Sequence, residues 1–187
     1  MSVFALEHGK AAYRADFVLY AAVVTGLATF LLYADPHGQR LQSLAWTLLG
    51  LASWTAIEYA LHRYVLHSLQ PFTRWHAEHH QRPTALICAP TILSGSLIGT
   101  LVFLPGWLML GLWSACALTL GVLIGYLAYA VTHHATHHWR AESAWLKRRK
   151  RWHALHHHGG DRQGCYGVTS AFWDHVFGSV RRAAGRG

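Results

Sequence analysis

Charge is what this sequence has least of. Asp, Glu, Lys and Arg make up 13% of its 187 residues, where a soluble globular protein carries about a quarter. Together with 52% hydrophobic residues, the shortfall points to a chain solvated by a bilayer. Acids are scarcest. Eight Asp and Glu are too few for a ferritin-type centre, which needs several bridging Glu side chains. Cys88, Cys116 and Cys165 stand far apart and form no C-x-x-C, so neither a disulfide framework nor a thiolate zinc site is expected. The N-terminus carries no cleavable signal pattern. No low-complexity segment is present, and the one repeated motif is made of histidine.

Histidine is what the chain has in excess, with 16 residues. His76, His79 and His80 are spaced i, i+3, i+4, which on a helix gives one face. The pattern recurs at His153, His156 and His157. Imidazoles grouped on one face repel when protonated and waste buried surface when neutral, unless a metal ion is their partner. The alternative for such a triplet is a polar helix face. Two looser pairs accompany the triplets. His133 and His137 are i, i+4, but His134 and His138 have the same spacing, so one pair faces a metal and the other faces solvent or headgroups. His62 and His67 are five apart, about 140° round a helix. They are therefore expected on different faces, serving different metals or bracketing a helix end. His158 and His175 are weaker candidates, and His8 and His37 read as surface residues.

Ten clustered histidines exceed the four ligands of a closed structural zinc site. They suit two metals at about five nitrogens each, and an all-imidazole set suits iron, copper, zinc or nickel. Many nitrogen donors around two ions fit a redox iron pair that activates oxygen. Ligand imidazoles usually donate their outward N–H to an acceptor. Glu58, one turn before His62, Glu78 and Asp174 are the candidate acceptors. For Glu58 the alternative is snorkelling to the interface, and for the other two surface solvation or capping.

The apolar runs define an all-α integral membrane fold. Spans are expected at about 17–33, 41–61, 85–104 and 107–132, with Pro105-Gly106 as the break in a run of 48 residues free of charge. Residues 62–84 and 133–180 then form a helical cap on one domain. Four spans place all ten histidines on one side of the membrane. The same side collects 15 of the 16 Lys and Arg, with Arg40 opposite. The positive-inside rule makes that side, and both termini, cytoplasmic. The run Lys147 to Arg151 reads as a topology signal and solvated face, or as a patch for lipid or an acidic partner. The net charge of +8 comes without a nucleic-acid recognition fold, so no nucleic-acid partner is expected. Trp75, Trp139 and Trp152 fit interfacial anchors.

These residues resemble the fatty acid hydroxylase and sterol desaturase superfamily, and within it the fatty acid 2-hydroxylases. The matching stretches are Glu58 to His67, His76 to His80 with Pro83 following, Gly125 to Tyr129 leading to His133 and His137, His153 to His157, and Tyr166 to Gly178. They run in order from about residue 50 to 180. Matching on Tyr129 selects His133 and His137 over their neighbours. The resemblance implies a four-helix membrane domain whose cytosolic helices hold two irons, with zinc able to occupy the same sites. It implies insertion of one atom of molecular oxygen into an acyl C–H bond, with no catalytic residue beyond the metal ligands. A lipid substrate and a separate electron donor of cytochrome b5 or ferredoxin type follow, since no haem domain precedes the core. Rival readings are a sterol or carotenoid hydroxylase or desaturase, and a metal-binding membrane protein without activity. Two positions depart from the family pattern: Cys165 stands where relatives have Asn, and Ala130 where an Asp is common.

Overall fold

The computed structural model describes residues 7–158 and 163–181, apart from the side chain of His37. Arg162, Arg182 and Arg186 of the basic tail lie outside the described residues. The fold is all-helical: the described residues hold no strand, only an isolated bridge between Glu7 and Ile87. The helices are α1 (Lys10–Ala34), α2 (Arg40–Ala60), α3 (Phe72–Gln81), α4 (Thr91–Ile98), α5 (Leu104–Leu110), α6 (Leu112–His138), α7 (Ala144–His157) and α8 (Phe172–Val176). The chain divides into two compact units, Met1–Trp54 with Leu86–Leu127, and Thr55–Ala85 with Ala128–Gly187.

Unit one is the apolar unit. Leu31, Cys116, Ala117 and Leu120 form its buried centre, packed by Val24, Trp46, Phe103 and Trp113. Asp35 ends α1 and accepts a hydrogen bond from Ser43 at 2.7 Å, fixing the turn into α2. Along α6, Gly121 and Gly125, one turn apart, clear a groove for α2. A Cβ on Gly121 would lie 2.0 Å from the Thr47 carbonyl oxygen, and one on Gly125 2.4 Å from the Trp54 ring. Small residues permit this backbone approach between apolar helices, where van der Waals packing replaces the hydrophobic drive. Tyr20 of α1 reaches Ser94 at 2.7 Å and Tyr126 reaches it at 3.4 Å, joining three helices through one hydroxyl.

Three helical stretches among the described residues are long and apolar enough to cross a membrane: Lys10–Ala34, Thr91–Leu110 and Leu112–His138. α2 has 21 residues, but Gln42, Ser43, Thr47, Ser53, Thr55 and Glu58 interrupt it, and it is not in that set. The long uncharged run does not break at Pro105-Gly106 as expected. A π-helical turn at Gly99–Phe103 leads directly into α5, with proline in its first turn. Proline lacks the backbone N–H that a helix interior uses, and the π-helical turn directly before it is the irregularity at which the continuous helix takes it up. The chain reverses at Gly111, where φ is +82°, a conformation glycine adopts without steric cost.

Candidate metal centre

All ten candidate histidines lie in unit two, and they sort into two groups of five. His62, His67, His76, His80 and His156 form one; His79, His133, His137, His153 and His157 form the other. Within each group, one ring nitrogen per residue lies within 4.8 Å of all the rest. The α3 triplet is divided: His76 and His80, one turn apart, enter the first group, and His79 enters the second. The α7 triplet divides in the reverse sense, His156 to the first group and His153 with His157 to the second. Each helix thereby contributes to both groups, and the groups adjoin where the rings of His80 and His157 stack at 4.2 Å.

The pair His62 and His67 departs from expectation. Five residues apart, they belong to one group, with ring centroids 5.2 Å apart. The physical reason is the backbone between them: Leu61–Leu66 is π-helical, and i→i+5 bonding brings residues five apart to one face. His133 and His137 enter the second group, while His134 and His138 stack on each other at 4.4 Å outside it. His158 and His175 are exposed and belong to neither group.

The nitrogens that converge are the Nε2 atoms. His76 lies 3.0 Å from both His62 and His80, and His156 lies 3.0 Å from His80 and 3.1 Å from His67. In the second group the separations are 3.1 Å for His79 and His133, 2.8 Å for His137 and His153, and 3.0 Å for His153 and His157. Burial, and then the neighbouring imidazoles, push His79 down to about 3. His62 is likewise held at about 3, by burial first and His67 second. Burial and the surrounding histidines also keep His76 and His153 well below the usual range. Neutral imidazole is the form that binds a metal.

A loop sets the tautomers. His62 Nδ1 lies 2.5 Å from the Tyr166 carbonyl oxygen, and His156 Nδ1 lies 2.9 Å from that of Gly164. A carbonyl only accepts, so each Nδ1 carries the proton and each Nε2 lone pair points into the group. The donor set therefore fits a metal ion on chemical grounds, independently of the count.

Two buried carboxylates hold that loop. Glu58 accepts the amide N–H of Val168 at 2.6 Å and of Thr169 at 2.9 Å, and the Thr169 hydroxyl as well. Asp174 accepts the N–H groups of Tyr166 and Gly167, both at 2.8 Å, and the Ser179 hydroxyl at 2.7 Å. Glu58 and Asp174 thus bond loop amides rather than imidazoles, and the loop carbonyls bond the imidazoles. Glu78 pairs with Arg82 one turn on, on a half-exposed surface. Cys165 sits between the two anchoring carbonyls with φ +57°, the left-handed region that Asn tolerates better than most residues. Gly167 is required by space, since a Cβ would lie 1.8 Å from the Ser170 carbonyl oxygen. The parts that sequence reasoning missed are the Gly164 and Tyr166 carbonyls. Backbone atoms leave no residue signature, although the glycines flanking Cys165-Tyr166 mark a close-packed turn.

The model of the fatty acid hydroxylase family matches residues 47–179. The ceramide very long chain fatty acid hydroxylase scs7 of Schizosaccharomyces pombe is 33% identical over 156 residues, covering 73% of this chain and 42% of that protein. The dihydroceramide fatty acyl 2-hydroxylase FAH2 of Arabidopsis thaliana is 33% identical over 146 residues, covering 70% of this chain and 58% of its own. The chain thus spans about half the length of these relatives. A solved structure described as full-length scs7p, with only the hydroxylase domain visible, superposes with a TM-score of 0.76 at 28% identity, covering 91% of this chain and 67% of that one.

Proposed function

Since the chain belongs to the fatty acid hydroxylase family, we propose that it is a membrane di-iron monooxygenase that hydroxylates an acyl lipid next to its carboxyl carbon. The observation that carries this reading is the pair of adjoining five-imidazole groups, whose number and neutrality suit two redox ions. The position of attack follows that of the plant relative, a fatty acyl 2-hydroxylase. The balanced reaction is R–H + O2 + 2 e− + 2 H+ → R–OH + H2O, with molecular oxygen as co-substrate and electrons from an external donor.

Iron, when bound, would supply the oxygen activation. His62, His67, His76, His80 and His156 would hold one ion, and His79, His133, His137, His153 and His157 the other. The chain's own work is positional. The Tyr166 and Gly164 carbonyls fix the ring orientations of His62 and His156, and Glu58 and Asp174 keep those carbonyls in place. Burial of His79, His153 and His156 excludes water from around the donors, which limits loss of oxidising equivalents to side reactions. α2 serves as a fourth membrane span, with both termini and the histidines on the cytoplasmic side, as the charge distribution supports.

The test is lipid analysis of a host expressing the chain under isotopically labelled oxygen. A lipid species heavier by one labelled oxygen, lost in His80→Ala, is expected. An unlabelled product, or one undiminished in His80→Ala, overturns the reading.

A further inference from the structure

We infer that the outward face of α7 is the docking surface for an acidic one-electron carrier protein. This rests on the proposed function, which requires two electrons from outside the chain for each turnover.

The argument starts from the two faces of one helix. At 100° per residue, Lys147, Arg148 and Arg151 fall within an arc of about 100°, and all three are exposed. His153 lies on the opposite side, flanked by His156 and His157, and it is buried. One helix therefore has cations outside and ligands of both imidazole groups inside. A carrier seated on the outer face is separated from both groups by about one helix diameter, on the order of 10 Å.

α7 itself contributes no acid to that face, since residues 144–157 include neither Asp nor Glu. α3 also supplies both groups, but its outer side carries the Glu78–Arg82 ion pair and so presents less net charge to a partner. An uncompensated basic face steers an acidic protein and orients it on arrival. A membrane fits this face less well. A helix that lies on a bilayer needs an apolar face to insert opposite its charged one. The face of α7 opposite its cations holds Leu146, Arg149 and the histidines, all turned inward.

The experiment uses the iron-loaded protein in detergent with two reductants. One is a pre-reduced acidic cytochrome b5 soluble domain; the other is a small-molecule reductant with mediator. The rate of carrier reoxidation is read by stopped flow between low and high salt. In the triple variant Lys147→Glu/Arg148→Glu/Arg151→Glu the rate constant should fall by about tenfold or more, and most of the salt dependence should vanish. The corresponding triple Gln variant should lie between. Turnover with the small reductant should be unchanged in both variants, which also establishes that they fold and hold iron. Small-reductant turnover with a carrier rate indifferent to the variants and to salt overturns this inference and leaves the proposed function standing. No turnover with either reductant removes both. Loss of binding to phosphatidylserine vesicles in the triple variant, without change in the carrier rate, identifies a lipid contact and also overturns it.

Discussion

The carboxylate of Glu58, two residues from the end of α2, accepts the amide N–H of Val168 at 2.6 Å, across 110 residues of chain. With Thr169 it gathers three donors onto one side chain, and the loop so held presents the carbonyls that fix His62 and His156. Glu58→Ala should therefore act on the first imidazole group before the second. Loss of such outer support typically costs 10- to 100-fold in metal affinity. Iron content after dialysis against a chelator should drop toward one ion per chain in Glu58→Ala. Glu78→Ala should leave it unchanged, since that residue is engaged with Arg82. Equal iron retention in Glu58→Ala and the wild type would contradict the role of the loop.

The second expectation separates neighbours. His133 approaches His79 at 3.1 Å, whereas His134 stacks on His138 outside both groups. His133→Ala should abolish product and lower the iron content. His134→Ala should retain more than half the wild-type product. Lipid mass spectrometry beside elemental analysis decides it, and equal losses in the two variants would show that the groups are wrongly divided.

Much of this centre was legible in the sequence because helix geometry is local. The i, i+3, i+4 spacings of His76 to His80 and His153 to His157 place their rings on one face whatever else the chain does. What local rules could not supply is where the helix changes its period. The α-helical spacing separates His62 from His67, and the π-helical turn at Leu61–Leu66 reunites them. The same irregularity before Pro105 carried the helix past its expected break to Gly111. The division of each triplet between the two imidazole groups is a further step removed, because it depends on which helix faces which. The anchoring carbonyls of Gly164 and Tyr166 are backbone atoms, which every residue possesses.

The third expectation concerns packing. A Cβ on Gly121 would stand 2.0 Å from the Thr47 carbonyl oxygen and 2.7 Å from the Leu51 nitrogen, so α2 and α6 would have to separate. Overpacking of this kind typically costs about 1–3 kcal/mol, occasionally more. Gly121→Ala should lower the melting temperature in detergent by several degrees, whereas Gly26→Ala, with nothing within 4 Å, should not. Equal melting temperatures in the two variants would refute the close approach.

The fourth expectation is topological. With α2 as a span, residues near Gly38 lie opposite the C-terminus. Compartment-sensitive reporters fused near Gly38 and after residue 181 should give opposite signals, the second cytoplasmic. The same signal from both would remove α2 from the membrane and undo the four-span arrangement.

The last expectation is acid sensitivity of the metal-free chain. Burial holds His62 and His79 neutral down to about pH 3, whereas in the unfolded chain each takes up a proton near pH 6.5. Below 6.5 the unfolded state therefore binds more protons than the folded one, and stability falls as the pH falls. The loss continues toward the depressed folded values and is absent above 6.5. Each fully buried imidazole contributes on the order of 1.4 kcal/mol per pH unit within that window. Bound metal adds its binding free energy to the folded state but does not flatten this slope, because it too keeps the nitrogens deprotonated there. Chelated protein should melt at progressively lower temperature from pH 7 to pH 5, and iron-loaded protein should melt higher at each pH without a shallower decline. A melting temperature of the chelated form that stays level or rises between pH 7 and pH 5 would mean that these imidazoles are not buried in their neutral form.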